Sequence, residues 1–478
     1  MITPENLLEE NPTSDLNVVS QNEPEVAVVQ PEVVAVEPEV VAVEPEVVAV
    51  VQPEVVEVVE VVQPEVVQSE VAAVVQPAVV QPTVVQPAVV QQSKIDFEAY
   101  TLEDFYKKNN VLKFEGHSQN NLEQSKFLRN LVKNKKKLNV MEIGFNAGHS
   151  AELFLSSNKN LKLLSFDLGE HDYLKLGKKF IDNKYPGRHK LILGDSLVTV
   201  PKYIKENSNT KFDIIFVDGG HFKNVPFNDM KNCMNLAHKD TIVILDDVKK
   251  TNIKCWNKKP NEVWELFKAK KYVTEIGQKD FSPTHGLAYG KYNLCEIYII
   301  SLLKQERKKN IEINRKKYKN IKVFPAVNGY DINETLKVQC DNNIKYKNLK
   351  FKTYGTLACW LSKYKMLKHQ VENNIPFVCF LEDDVILQDN FDKFLNNCIF
   401  QLKKGINIIR LKRFGEGYIT SLESAKRLLK ILNKEGICEN IDNQLQFMCG
   451  KELYIDNDFL KLVVKTNKGD CLKTVKFG

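Results

Sequence analysis

The chain has 478 residues and a formal net charge of +6, and this length favours more than one domain. The charge is uneven, because residues 1–93 hold 16 acidic and no basic residues and therefore leave +22 for residues 94–478. Only seven of the 67 basic residues are Arg, and the Lys residues are scattered among Asn, Ile and Tyr instead of forming one stripe. We interpret the positive charge as compositional drift and expect no nucleic-acid partner.

The cysteines and the apolar runs indicate the compartment. Ten cysteines lie between Cys233 and Cys471, and none forms a CxxC pair or a zinc-type spacing. The sequence shows no signal peptide, so we expect free thiols in a reducing, cytoplasmic compartment. No apolar run reaches the roughly 18–20 residues of a membrane helix, and no membrane span is expected.

Residues 1–93 are predicted to form a disordered arm. From about residue 22 to 92 the sequence repeats units such as VQPEVV, VEPEVV and VQPAVV. Each Pro removes a backbone donor and biases its predecessor towards extended geometry. The units are too short and too rich in Pro to bury a shared core, which predicts an extended spacer. Self-association or docking along a partner is the alternative.

Strands and helices alternate from about residue 95 to 293. Apolar strand segments read KLNVMEIG, KLLSFDL, KLILGD, DIIFVDGG and TIVILDDV. Helical segments are predicted between them over Ala151–Ser157, Tyr173–Asn183 and Asp229–Ala237. This alternation predicts an α/β region with a parallel sheet and helices on both faces. The segment THGLAYGKYN reads as a final strand, with an antiparallel orientation as one alternative.

The most informative segment of this region is VMEIGFNAGHS, residues 140–150. Glu142 ends the apolar strand, and Gly144 and Gly148 leave backbone bare where a nucleotide-like ligand could approach. Asp167 ends the second strand, where a carboxylate can accept hydrogen bonds from ribose hydroxyls, and Asp195 ends the third, where it could meet an adenine edge. All of them lie at carboxyl ends of strands, where open α/β sheets bind ligands.

Two later motifs complete the pattern: FVDGGH, with Asp218 and His221, and VILDDV, with Asp246 and Asp247. Residues 95–293 therefore resemble class I S-adenosylmethionine-dependent methyltransferases, in the branch with DGxH and DD elements. The resemblance implies a Rossmann-like fold and S-adenosylmethionine as cofactor. It also implies Mg²⁺ held by the three aspartates, with His221 as the base. VDGG stands where amino-directed nucleic-acid methyltransferases place Asn/Asp-Pro-Pro-aromatic, which favours a hydroxyl oxygen as the methyl acceptor.

A second strand-led unit begins at CEIYIISLL and continues through the helical segment LKQERKKNIEINRKKYK. An amphipathic helix is predicted over Thr356–Asn373, with its apolar stripe interpreted as core. The strand PFVCFLEDDVIL follows. Near the end, Thr420 and Glu423 form a capping-box pattern before a helix, and Gly436 suits its end.

Three consecutive acids, Glu382, Asp383 and Asp384, follow the apolar part of that strand. They repel one another unless a cation or a substrate charge compensates them, and an acidic surface turn is the alternative interpretation. The motifs IYIISLLKQERKKN, VFPAVNGYD, YGTLACWLSKYKML, LEDDV and GYITSLESAKRLL resemble glycosyltransferase family 25, the lipooligosaccharide-type and procollagen-type sugar transferases. Many members have His after the Ser of the helix that precedes the acidic motif, whereas in this chain Ser362 is followed by Lys363.

This resemblance implies a GT-A-like α/β domain with a nucleotide-sugar donor, expected to be a UDP-hexose, and a glycan or glycoprotein acceptor. It also implies Mn²⁺ held by Glu382 and Asp384, with Asp383 nearby. Asp442, in ENIDNQL, is the candidate acceptor-side base, and a helix-capping Asp is its alternative interpretation.

Taken together, the sequence predicts a disordered arm (1–93), a methyltransferase domain (94–293) and a glycosyltransferase domain (294–478). The expected function is bifunctional glycan modification. The alternatives are an active methyltransferase with a degenerate carbohydrate-binding C-terminal domain, a nucleic-acid-modifying protein, or a virion scaffold anchored through the repeats. The Lys/Asn-rich body and the low-complexity arm resemble proteins of giant DNA viruses in composition.

Overall fold

The computed structural model describes residues 97, 100–116, 121–345, 353–402, 408–411, 415–449, 452–455 and 460–462. The predicted repeat arm lies outside these residues. Within them the chain forms two large mixed sheets, one of seven strands and one of six, together with a two-stranded sheet. The α/β class predicted from the alternation of strands and helices is confirmed.

The first sheet is built from residues 138–292 and is preceded by two helices. Its elements in chain order are α1 (Leu102–Lys108), α2 (Leu122–Val132), β1 (Leu138–Ile143), α3 (His149–Ser157), β2 (Leu161–Asp167), α4 (Leu174–Lys184), β3 (His189–Leu193), α5 (Ser196–Glu206), β4 (Phe212–Val217), α6 (Val225–Cys233), β5 (Ala237–Asp246), α7 (Lys258–Ala269), β6 (Val273–Asp280) and β7 (Gly286–Tyr292). The strand order is β3-β2-β1-β4-β5-β7-β6. The order reverses between β1 and β4, and such a switch point is where open α/β sheets bind ligands.

Strand β1 shows why the centre of this sheet is apolar on both sides. Met141 and Ile143 belong to one hydrophobic cluster, whereas Leu138 and Val140 belong to another. Successive side chains of a strand point to opposite faces, so helices cover both faces of the sheet. The five predicted parallel strands are confirmed, and β7 pairs antiparallel with β5.

One strand and one helix in this region differ clearly from the sequence prediction. The sequence did not predict β6, whose residues VTEIGQKD are mostly exposed at the sheet edge and lack an apolar alternation. The helix predicted over Asp229–Ala237 begins earlier, at Val225, where Pro226 suits the first turn. It ends at Cys233, and Ala237 already belongs to β5.

The second large sheet uses residues 296–454 and has the order β14-β12-β13-β10-β8-β9. Strands β11 and β15 pair separately. The elements in chain order are β8 (Glu296–Ser301), α8 (Gln305–Lys317), β9 (Lys322–Pro325), α9 (Ile332–Asp341), α10 (Tyr354–Glu372), β10 (Phe377–Glu382), β11 (Val385–Leu387), α11 (Phe391–Ile399), β12 (Ile408–Arg410), β13 (Gly417–Ser421), α12 (Leu422–Glu435), α13 (Ile441–Cys449), β14 (Glu452–Tyr454) and β15 (Leu460–Leu462). Strand β10 lies between parallel β8 and antiparallel β13, so the acidic motif ends a central strand.

The long helix α10 packs as its periodicity predicts. Leu357, Trp360 and Leu361 are fully buried, and the Trp360 indole donates a hydrogen bond to the Glu439 carbonyl at 2.7 Å. The predicted capping box is wrong by one residue. Ser421 is the N-cap of α12, because its hydroxyl accepts from the Ser424 amide.

Thr420 lies instead in β13, where its hydroxyl donates to the Gln370 side chain at 2.7 Å. The end of α12 agrees with the prediction. Gly436 follows Glu435 with φ 78°, and a Cβ there would lie 2.5 Å from the Lys345 carbonyl oxygen.

One hydrophobic cluster joins the two large sheets. It contains Met141 and Val243 of the first sheet together with Ile299 and Leu381 of the second. Phe400, which follows α11, contributes a ring contact with Tyr272 at 4.3 Å between centroids and another with Phe267 at 6.0 Å. Polar contacts add to it, since Lys393 donates to the Ile204 carbonyl at 2.8 Å. The two sheets therefore share a core.

Candidate active sites

The turn after β1 depends on two glycines in left-handed backbone conformations. Gly144 has φ 99°, and a Cβ on it would lie 2.0 Å from the Asp218 carbonyl oxygen. Gly148 has φ 85° and precedes α3, where a Cβ would lie 2.9 Å from the Phe145 ring. Only glycine tolerates both the conformation and the close approach. The turn therefore brings β1, β4 and the start of α3 together at the switch point.

Glu142 lies behind this turn with no exposed surface. Its two carboxylate oxygens accept hydrogen bonds from Ser150 Oγ at 2.8 Å and Ser165 Oγ at 2.6 Å. Burial raises the pKa of Glu142 to about 7, although the two serine hydroxyls oppose this rise. A contribution of Glu142 to cofactor binding would be indirect, because its carboxylate ties β1 to β2 and α3.

Asp167 and Asp195 lie at the ends of β2 and β3, as predicted, and both order local backbone. Asp167 accepts from the Asn146 amide at 2.7 Å and from the Gly169 amide at 2.8 Å. Asp195 is exposed and caps α5 by accepting from the Leu197 amide at 2.8 Å. Carboxylate oxygens can accept further hydrogen bonds, so both remain candidates for cofactor contacts.

Three of the predicted metal and base residues converge at the ends of β4 and β5. Asp218, His221 and Asp247 each bring one potential ligand atom within 4.8 Å of the others, and no other group of three does so in the described ranges. His221 Nε2 lies 3.2 Å from Asp247 Oδ2. Burial and the neighbouring acids raise the pKa of Asp218 well above its usual range. A cation bound there would offset this cost.

Asp246 differs from its neighbour Asp247. It is buried, and both of its oxygens accept from Gln124 Nε2, at 3.0 and 2.9 Å. Burial, followed by the charge of Asp247, raises the pKa of Asp246 well above its usual range. Sequence reasoning missed Gln124, which lies in α2, because nothing in a short amphipathic helix signals a contact with a strand end so distant along the chain.

Aromatic side chains lie beside His221. The Trp256 ring stacks on the His221 ring at 5.9 Å between centroids, and the His285 ring lies 6.3 Å from Trp256. Phe222, next to His221 in the chain, is 76% exposed. Sequence reasoning did not single out these aromatic residues, whose segments are separated along the chain. The first site thus combines carboxylates, an imidazole and apolar ring surface.

The second site is a cavity of about 190 Å³ at the ends of β8 and β10. All three predicted acids line it, together with basic and small residues from α8, α10 and the loops. Asp383 accepts from Ser301 Oγ at 2.6 Å, and its Oδ1 lies 3.7 Å from Arg307 Nε. Asp384 Oδ2 lies 3.6 Å from Arg307 Nη1. Burial, followed by the charge of Glu382, raises the pKa of Asp384 to about 6.

Glu382 forms an ion pair that the sequence did not predict. Its Oε1 accepts from Lys363 Nζ at 2.8 Å, and the Lys363 side chain is only 6% exposed. Lys363 also lies over the ring of buried Tyr418, with Nζ 5.3 Å from the centroid. The other candidate base, Asp442, lies in α13, and its side chain is outside the described part of the chain.

The described helices include none with both the length and the apolar character needed to cross a membrane. Two family models match the chain. Residues 94–266 match the model described as O-methyltransferase, and residues 294–445 match glycosyltransferase family 25 (LPS biosynthesis protein). No curated protein gives a significant match.

Several solved structures are similar to part of this chain. A putative O-methyltransferase from Klebsiella pneumoniae is 16% identical, with a TM-score of 0.33, covering 40% of this chain and 88% of that chain. The O-methyltransferase TomG from Streptomyces achromogenes, solved with SAM, is 14% identical, with a TM-score of 0.33, covering 40% of this chain and 87% of that chain. An O-methyltransferase from Bacillus cereus, solved with SAH, is 19% identical, with a TM-score of 0.33, covering 42% of this chain and 93% of that chain.

Proposed function

Because the chain is an enzyme that combines an O-methyltransferase domain with a glycosyltransferase family 25 domain, we propose that its two halves modify the same class of glycan. One half adds a hexose from a nucleotide-sugar donor, and the other methylates a sugar hydroxyl. The shared hydrophobic core holds the two sites in one body, which gives a common substrate a high local concentration at both. The domain limits 94–293 and 294–478, the cytoplasmic location and the virus-like origin stay predictions.

The O-methyltransferase match supports S-adenosylmethionine as the methyl donor. The turn at Gly144 and Gly148 fits this cofactor, because it exposes backbone and not side chains at the switch point. Asp167, held by two backbone amides at the end of β2, fits a ribose. The bound cofactor would supply a methyl group activated by the positive charge on its sulfur.

The methyltransferase half is carried by one observation: Asp218, His221 and Asp247 meet beside this turn. Two carboxylates suit Mg²⁺, which prefers oxygen ligands and would lower the pKa of a hydroxyl presented to it. In this proposal His221 accepts the proton of that hydroxyl while the oxygen takes the methyl group. Asp246, bound by Gln124, would support Asp247 from behind.

The methyltransferase proposal is tested with full-length protein, S-adenosylmethionine and a panel of oligosaccharides, by measuring formation of S-adenosylhomocysteine and methylated product. His221→Ala should lower the rate at least about a hundredfold, in line with the loss of a general base. The matched control is His238→Ala, because His238 also faces an aspartate, at 3.2 Å, but lies at the start of β5, at the opposite edge. Equal rates for the two variants would contradict the assignment.

For the glycosyltransferase half, we propose a UDP-hexose as donor and Asp384 as a residue of the donor site. In the reaction the anomeric carbon leaves the diphosphate oxygen, which keeps the bonding electrons, and binds the acceptor oxygen. The acceptor proton passes to a base, for which Asp442 stays the candidate. The test measures UDP release from a panel of UDP-sugars with Asp384→Asn and with Asp389→Asn as control, since Asp389 is exposed and pairs only with Lys317 in the described ion pairs.

The outcome separates this proposal from its alternative. A wild-type protein that releases UDP, and loses this activity only in Asp384→Asn, supports sugar transfer. A protein that binds sugars or glycans, releases no UDP and is unaffected by Asp384→Asn would instead be a methyltransferase with a carbohydrate-binding C-terminal domain.

A further inference from the structure

The acidic motif of the transferase cavity is already compensated by cations of the protein. Lys363 Nζ lies 2.8 Å from Glu382 Oε1. Arg307 lies 3.7 Å from Asp383 and 3.6 Å from Asp384. Mutual repulsion among the three acids was the physical reason to expect a bound metal ion. These two side chains reduce that repulsion without one.

The same acids do not form a metal site with three protein ligands. Glu382, Asp383 and Asp384 do not place one oxygen each within 4.8 Å of one another, in contrast to Asp218, His221 and Asp247 at the ends of β4 and β5. Lys363 occupies one oxygen of Glu382, and Ser301 occupies one of Asp383. Arg307 lies beside Asp383 and Asp384, so a divalent ion would have to displace partners that the acids already have. The Mn²⁺ predicted from the sequence therefore does not fit this arrangement.

The cavity also presents a positive wall. Lys304, Arg307 and Lys363 all line it. Lys304 is the residue before α8, and Arg307 lies in its first turn. The first amide groups of that helix therefore lie beside these two cations. Arg307 Nη1 is buried and has no hydrogen-bond partner in the described part of the chain. A guanidinium in this state matches a diphosphate, whose oxygens can accept from its planar fork.

We propose that Lys304, Arg307 and Lys363 bind the donor diphosphate directly and that the transferase site works without a divalent ion. Lys363 takes the place beside Glu382 that the ion was expected to occupy. The buried Asp384 Oδ1, which also lacks a described hydrogen-bond partner, is then left for a hydroxyl of the sugar. This inference rests on the proposed nucleotide-sugar function.

The test measures UDP binding by isothermal titration calorimetry on the full chain, once in EDTA and once in Mn²⁺. All proteins carry Asp218→Asn, which disables the other candidate ion site. We expect the dissociation constant in EDTA to stay within about twofold of that in Mn²⁺. Lys363→Met should weaken UDP binding in EDTA about tenfold or more, as expected for loss of a charged hydrogen bond. Lys308→Met, on an exposed position of α8, should leave binding unchanged.

Two further measurements keep the result interpretable. Lys363→Arg retains the charge and should retain most of the UDP binding in EDTA, which separates lost charge from misfolding. Electron paramagnetic resonance of Mn²⁺ should show no ion bound without nucleotide, and more ion bound to Lys363→Met, where Glu382 is released.

Binding of UDP only in Mn²⁺ would overturn this inference and leave the glycosyltransferase proposal standing. Binding in neither condition, without release of UDP from any donor, would overturn both.

Discussion

Replacing Gly144 by Ala tests the geometry of the turn that organises the methyltransferase site. A left-handed backbone costs an Ala roughly 1–2 kcal/mol relative to glycine. At Gly144 a Cβ would also lie 2.0 Å from the Asp218 carbonyl oxygen, so the end of β4 must move. Overpacking of this kind adds roughly 1–3 kcal/mol. The total expected loss in the free energy of unfolding is therefore about 2–5 kcal/mol.

Gly187→Ala is the matched control. Gly187 also has a positive φ, 70°, but a Cβ there would have no atom within 4 Å. It should therefore show the backbone cost alone, about 1–2 kcal/mol. Urea denaturation gives the difference between the two variants, and S-adenosylmethionine titration should show weakened binding only for Gly144→Ala. Equal losses of stability, within about 0.5 kcal/mol, would refute the reasoning about the close approach.

Three further substitutions test two buried groups and one half-buried ring. Burial raises the pKa of Glu142 to about 7 from 4.5, so its contribution to stability is full below pH 4.5 and is lost as the pH rises towards 7. In urea denaturation at several pH values, Glu142→Gln should remove about 3 kcal/mol of this decline in the free energy of unfolding. Parallel pH profiles of the wild type and the variant would show the idea to be wrong. Gln124→Ala deprives Asp246 of its hydrogen bonds and should lower the free energy of unfolding by about 2 kcal/mol. Gln305→Ala, at an exposed position, should lower it by less than about 0.5 kcal/mol. Similar losses in the two variants would argue against the contact between Gln124 and Asp246. Phe400→Ala should lower the free energy of unfolding by about 2–3 kcal/mol, and an unchanged calorimetric transition would speak against a core shared by both sheets.

The chemical motifs could be located from the sequence because each is local. The segment around Gly144 and the acids of β10 follow apolar runs that read as strands, and the carboxyl ends of parallel strands share one edge of a sheet. That Asp218, His221 and Asp247 come near one another followed from this rule. The helix α10 was predictable for the same reason, because its apolar residues recur at helical spacing.

Tertiary contacts decided which partner each of those residues has. Gln124 reaches Asp246 across 122 positions of the chain, and Lys363 reaches Glu382 from a neighbouring helix. No periodicity encodes such pairings, since they depend on how separate elements pack. The local order of residues is enough to tell which strands end in acids and glycines. Only packing decided which of those acids face a cavity, which are paired with a lysine or hydrogen-bonded by an amide, and how one core joins the two sheets.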